Sequence, residues 1–150
     1  MLKIKILFFL FISNLCFSQS KFNPFFFVGP MMHYNINAEK NKFSFSLEGS
    51  VWILSENFPI PPSVDLGIEF ERKKIRIYSE VQTGSLLGLS VGPVIEFSEK
   101  DPVFGFQTSI WASFFAGIDF RYRRINKMNY YAPGMFFKFP IFLNNSGLIF

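Results

Sequence analysis

One histidine and a nearby group of serines and an acid are the residues of this chain best suited to catalysis. His33 is the only histidine, and Ser44, Ser46 and Glu48 follow it on the next stretch of chain. A hydrolase triad needs a nucleophile, a base and an acid in mutual contact. Serines and a glutamate on one polar strand face are also common in sheets without activity. We therefore predict no enzyme, no cofactor and no metal site built on several imidazoles.

The segment that carries these serines has the alternating pattern of a β-strand. Between Phe43 and Ile53, mostly apolar positions alternate with mostly polar ones. Because successive side chains of a strand point to opposite faces, this alternation predicts one apolar and one polar face. One face would carry Phe43, Phe45, Leu47, Val51 and Ile53, and the other Ser44, Ser46, Glu48, Ser50 and Trp52. Any chemistry of these residues depends on which face is buried.

The same alternation divides the chain into about eight strand-length segments. The run 104–123 keeps one parity throughout, but a single strand of that length would reach roughly 65 Å. It is therefore expected to contain a hairpin near 114–116. The segments are 25–35, 43–53, 64–71, 75–83, 87–97, the two halves of 104–123, and 134–142. The predicted connections are 36–42, 55–62, 72–74, 84–85, 99–102 and 124–132.

The composition suggests that the apolar faces point outward. The chain is 49% hydrophobic and contains 23 phenylalanines, most of them single residues between polar ones. A soluble sandwich buries one face of each strand and rarely needs so much Phe. A membrane barrel presents that face to lipid around its whole circumference. The pattern therefore favours a barrel with its phenylalanines in contact with lipid.

The polar faces then become the inside of the barrel. An eight-stranded barrel has an interior just wide enough for side chains to fill, so we expect a packed polar core and no wide channel. Buried charges need partners, and six acids with four bases are close to balance. If the sheet were an ordinary soluble one, the same charges would face solvent. The predicted interior network is Glu48, Asp65, Glu69, Arg76, Glu80, Glu96, Asp119, Arg121, Arg123 and Lys138.

The chain has alternating segments of about nine to eleven residues that are separated by turns, and its last residue is the aromatic Phe150. Both features are similar to those of a known class of barrel proteins. The chain resembles small eight-stranded outer-membrane barrels of the OmpA/OmpX type, in a style common among Bacteroidota envelope proteins. The resemblance implies an all-β, antiparallel, up-and-down transmembrane barrel in the outer membrane. Its partners would be outer-membrane lipid and, during biogenesis, the barrel-assembly machinery. Both chain ends would lie in the periplasm.

The N-terminus is predicted to be a secretory signal peptide. A short basic start precedes the apolar run 6–12, which is too brief to span a bilayer. Small residues follow, and the cut is expected before Gln19. This divides the chain into a signal peptide, 1–18, and a single barrel domain, 19–150. An N-terminal membrane anchor and a lipoprotein acylated at Cys16 are the alternatives.

Removal of this segment changes the charge and the cysteine content. Lys3 and Lys5 leave, so the net charge falls from +4 to about +2, and the only cysteine leaves as well. Without this cysteine, we expect no disulfide. In the basic run 121–124, alternation places the tyrosine on the face opposite to two of the arginines, so the run does not form one basic and aromatic surface. Together with the low net charge, this leads us to expect no nucleic-acid partner.

The sequence favours a structural or interaction role in the membrane. One alternative is a soluble periplasmic or secreted β-sandwich or lipocalin-like protein, which would bury the Phe faces and bind an apolar ligand. Another is an outer-membrane lipid-modifying enzyme centred on His33, by analogy with envelope lipases and acyltransferases.

Overall fold

The computed structural model describes residues 23–37, 41–54, 60–99, 101–144 and 147–149. The predicted signal peptide and its cleavage site, Cys16 and Phe150 lie outside the described residues. In the described part of the chain, no helix is long and apolar enough to cross a membrane. The strands are β1 (Asn23–Asn35), β2 (Lys42–Leu54), β3 (Pro62–Glu71), β4 (Lys74–Gly84), β5 (Leu87–Phe97), β6 (Val103–Ala112), β7 (Ala116–Ile125), β8 (Met128–Phe137), β9 (Phe139–Asn144) and β10 (Gly147–Ile149).

The first eight strands form a closed antiparallel barrel. Each strand pairs with the next in sequence, and β8 returns to pair with β1. The predicted eight-stranded up-and-down barrel is therefore confirmed. The start of β1 and the end of β9 lie at one end of the barrel, which we call the terminal end. The β1–β2, β3–β4, β5–β6 and β7–β8 connections lie at the other, which we call the hairpin end.

The closing strand is interrupted at Lys138. β1 pairs with β8 through Met31–His33 and with β9 through Phe26–Val28, in one continuous register. β8 and β9 together therefore act as the eighth strand. The backbone N–H of Lys138 donates to the carbonyl of Phe115 at 2.6 Å. Beyond this point β9 has no neighbour in β7, and β10 folds back to pair with its free edge.

The hairpin predicted inside 104–123 is present. β6 ends at Ala112 and β7 begins at Ala116, so a three-residue turn joins them. An odd number of turn residues keeps the inward parity the same on both strands, which is why the alternation passes through the turn unbroken. Ser113 in this turn has φ of +84°, in the left-handed region.

The loop predicted for 124–132 is wrong. β7 continues to Ile125 and β8 begins at Met128, so only Asn126 and Lys127 form the connection. Both have positive φ, 48° and 64°, as a two-residue hairpin turn of type I′ requires. Asn tolerates this conformation, and the Asn-Lys pair is enough to reverse the chain. The basic and aromatic residues on either side of the turn have the composition of a loop, but they belong to the paired strands β7 and β8.

Burial alternates along the strands, with apolar residues outside. β5, for example, alternates exposed and buried positions over most of its length. Large exposed apolar side chains occur on every strand of the barrel. They include Phe25, Phe43, Phe45, Leu47, Val64, Leu66, Ile77, Val81, Leu89, Val91, Phe104, Phe106, Ile110, Ile118, Phe120, Met135, Phe137 and Phe139.

Candidate functional site: the charged interior of the barrel

The ten charged residues predicted for the interior are all buried, with exposed fractions between 0% and 8%. Their strands deliver them by alternation, since each lies on the parity opposite to the exposed apolar residues. Glu69, Arg76, Glu96 and Arg123 lie toward the hairpin end. Glu48, Asp65, Glu80, Asp119, Arg121 and Lys138 lie toward the terminal end.

Glu69 is the centre of the group nearer the hairpin end, which we call the Glu69 cluster. Arg76 Nη1 donates to Glu69 Oε1 at 2.6 Å, and Arg123 donates to both carboxylate oxygens of Glu69. Arg76 Nε also donates to Glu96 at 2.8 Å, and Lys74 Nζ to the same carboxylate at 2.9 Å. Each acid of this cluster therefore has a cation in direct contact.

Glu48 is the centre of the second group, the Glu48 cluster. One of its oxygens accepts from Arg121 Nη2 and from the Tyr78 hydroxyl, each at 2.9 Å. The other lies 2.8 Å from Lys138 Nζ. Lys138 also donates to Asp65 at 3.3 Å, and Arg121 Nε donates to Asp119 at 2.9 Å.

His33 lies between the two clusters. Its Nε2 donates to Asp119 Oδ2 at 2.8 Å, and its Nδ1 is 4.0 Å from Glu69. The hydrogen bonds of this imidazole go to the Asp119 carboxylate and not to Ser44 or Ser46, and its exposed fraction is 1%. Ser44 instead accepts from the Asn35 side chain at 2.7 Å. The structure therefore does not assemble the trio that a His33 hydrolase would need.

Glu80 is the one predicted network member that the structure leaves without an ion pair among the described residues. It lies opposite Asp65 in the β3–β4 ladder, so two carboxylates face each other across the strands. Asp65 has Lys138 as a partner, whereas Glu80 Oε1 is buried without a hydrogen-bond partner. Like charges directly opposite destabilise a sheet, so this pair needs compensation from elsewhere.

Tyr78 belongs to the site although the predicted network does not include it. Its hydroxyl contacts Glu48, and the Arg121 guanidinium lies 4.7 Å from the centre of its ring. Parity alone placed Tyr78 on the polar face of its strand. Its contacts with Glu48 and Arg121 could not be predicted from the alternation, because those residues are on β2 and β7 and meet Tyr78 only across the closed barrel.

Aromatic and aliphatic side chains form two clusters inside the lumen. Trp52, Trp111 and Phe136 pack with Phe27 and Phe114 at the terminal end. Trp52 and Trp111 are therefore buried and plug the lumen at this end.

A second apolar cluster, Tyr78, Val94, Ile125 and Tyr130, fills the interior toward the hairpin end. A cavity of about 20 Å³ lies between the aromatic cluster at the terminal end and the Glu48 cluster, and members of both line it. That volume has room for only one or two waters.

Two solved structures are similar to this chain. A designed transmembrane β-barrel is similar at 12% identity with a TM-score of 0.51, and the alignment covers 81% of this chain and 100% of the design. Neisserial surface protein A (NspA) is also similar, at 12% identity and a TM-score of 0.44, over 77% of this chain and 97% of NspA. No family model and no curated protein sequence matches the chain.

The fold therefore defines the class. The chain is an all-β, eight-stranded, antiparallel closed barrel with the architecture of transmembrane barrels.

Proposed function

We propose that this protein is an integral outer-membrane barrel with a structural or interaction role. One observation carries the proposal: large apolar side chains are exposed on all eight strands, while the charges lie inside. Soluble monomers rarely expose a contiguous apolar surface of more than a few hundred Å². In a bilayer the same surface contacts hydrocarbon, and the closed ladder satisfies the backbone without water.

The soluble alternative has little support in this arrangement. A lipocalin-like protein would hold the phenylalanines inside and offer them to an apolar ligand. Here the lumen holds the two charged clusters, with aromatic and aliphatic side chains packed among them. An apolar ligand would have to displace ion pairs that have no replacement partners.

The packed interior also favours a role without transport or catalysis. The 20 Å³ cavity is far too small for a solute path, and His33 is buried between acids. We infer that the functional surfaces are the lipid-facing wall and the short connections. As in the resemblance above, the terminal end would face the periplasm, and the barrel-assembly machinery would insert the chain.

Fractionation of cells that express the full chain tests the location. We expect recovery with outer membranes, extraction only by detergent, and a faster-migrating band in unheated gels that disappears on boiling, as closed barrels show. Mass spectrometry of the purified protein should find Gln19 as the first residue. Recovery from the soluble periplasm without detergent would refute the membrane assignment.

Planar bilayers test the closed interior separately. The purified barrel should insert without producing steps of ionic conductance. Regular single-channel steps that require this protein would contradict the packed lumen while leaving the membrane location intact.

A further inference from the structure

We propose that Glu48, Asp65 and Glu80 form a binding site for a divalent cation, with calcium favoured, inside the barrel wall. The three residues are on neighbouring strands β2, β3 and β4, all are buried, and one oxygen from each lies within 4.8 Å of the others. Carboxylate oxygens are the preferred ligands of hard cations.

A charge count separates this site from the rest of the interior. Toward the hairpin end, the acids Glu69, Glu71 and Glu96 are matched by Arg76, Arg123, Lys74 and Lys42. In the Glu48 cluster, two cations, Arg121 and Lys138, serve four acids: Glu48, Asp65, Glu80 and Asp119. Among the Asp, Glu, Lys and Arg side chains toward the terminal end, acids therefore outnumber bases by two. One divalent cation would offset that excess.

Glu80 supplies an independent indication that a ligand belongs here. Its Oε1 is buried, has no hydrogen-bond partner, and its side chain, 2% exposed, lines the 20 Å³ cavity together with Glu48. An unpaired buried carboxylate is costly unless something compensates its charge. The cavity also has space for a water, which would complete the coordination of an ion held by three carboxylates.

The small cavity favours calcium over magnesium. Magnesium dehydrates reluctantly and usually keeps several waters, whereas calcium accepts a flexible arrangement of protein oxygens. A cavity of about 20 Å³ has little room for a hydrated magnesium ion. Lys138 Nζ contacts one oxygen of Asp65 and one of Glu48, and the Ser63 hydroxyl donates to the other oxygen of Asp65. Glu80 Oε1 would therefore be the principal ligand, and the ion would share Asp65 and Glu48 with Lys138.

Terbium luminescence gives a direct test, since terbium replaces calcium and is sensitised by nearby tryptophan. The chain has two tryptophans, Trp52 and Trp111, and both line the same cavity as Glu48 and Glu80. Full-length protein refolded in detergent after treatment with EGTA should show saturable terbium emission at one ion per chain. Calcium should displace the terbium at lower concentration than magnesium. Absence of a saturable signal would overturn the proposal.

Two matched variants distinguish binding from a purely structural role. Glu80→Gln should abolish the terbium signal, whereas Glu96→Gln, a buried carboxylate of the other cluster, should keep it. Calcium at about 100 times its Kd should lower the unfolding constant of the unmodified protein about 100-fold and leave that of Glu80→Gln unchanged. In EGTA, Glu80→Gln should be at least as stable as the unmodified protein. Equal terbium binding by both variants, or a Glu80→Gln protein destabilised in EGTA, would refute the site.

Discussion

Gly67 and Tyr78 face each other across the β3–β4 ladder, and the phenol ring of Tyr78 occupies the space where a Cβ on Gly67 would lie. The same arrangement recurs at Gly88, which is covered by the indole of Trp111 on the neighbouring strand. Glycine leaves room for a large ring to lie flat against the inner wall. These positions allow aromatic groups to fit inside a narrow barrel.

Substitution of Gly67 by alanine should destabilise the barrel. The new methyl group would displace the Tyr78 ring, whose hydroxyl donates to Glu48 and whose face contacts Arg121. Overpacking of this kind typically costs about 1–3 kcal/mol. Urea unfolding of the refolded protein measures the change in the free energy of unfolding.

Gly49→Ala is the matched control for this substitution. Gly49 is on the outer face of β2, and a Cβ there would meet nothing closer than 4.0 Å. Its free energy of unfolding should stay the same or rise, because glycine weakens a strand interior. Equal destabilisation by both variants would show that the Tyr78 contact is not the cause.

Removal of the Glu69 charge should be among the most damaging single changes. Glu69→Gln leaves Arg123 without its carboxylate and deprives Arg76 of one of its partners. Removing one member of a buried ion pair typically costs about 3–5 kcal/mol. Glu99→Gln, which breaks the exposed pair with Lys73, should cost less than about 1 kcal/mol. Similar free energies of unfolding for the two variants would disprove the buried network.

The lipid contact of the outer wall makes a depth-dependent prediction. Leu66 lies midway along β3, and Leu86 lies in the β4–β5 connection at the terminal end; both are largely exposed. In lipid vesicles, Leu66→Arg should cost about 2–4 kcal/mol of folding free energy and Leu86→Arg about 0–1. A soluble sheet would tolerate both substitutions equally.

The closing seam should be intolerant of any side chain at Gly29. A Cβ at this position would overlap the Phe137 carbonyl and the Lys138 Cα, both of them backbone atoms of the opposing strand. Gly29→Val should therefore prevent β1 from pairing with β8 and β9. The faster band of the unheated gel should disappear for this variant and remain for Gly49→Ala.

The alternation predicted the elements better than their connections. Parity indicated eight strands, a hidden hairpin near 114–116, and the side of the sheet on which each charge lies. It was wrong for 124–132, where composition suggested a loop and two left-handed residues make the turn. The break at Lys138 also left no sequence signal. It arises because β7, the neighbour on one side, begins at Ala116, whereas β1, the neighbour on the other side, continues to pair with β9.

The sequence by itself determined which face of each strand is polar, because alternation depends only on residues two positions apart. That local rule was enough to predict a barrel with its phenylalanines outside. Only the tertiary structure decided which charges meet. Glu48 and Arg121 are 73 positions apart, and their contact depends on the register accumulated around the closed wall. The β3–β4 hairpin places Glu80 opposite Asp65, and the closed wall gives Glu80 no ion pair among the described residues, which no count of acids and bases along the chain reveals.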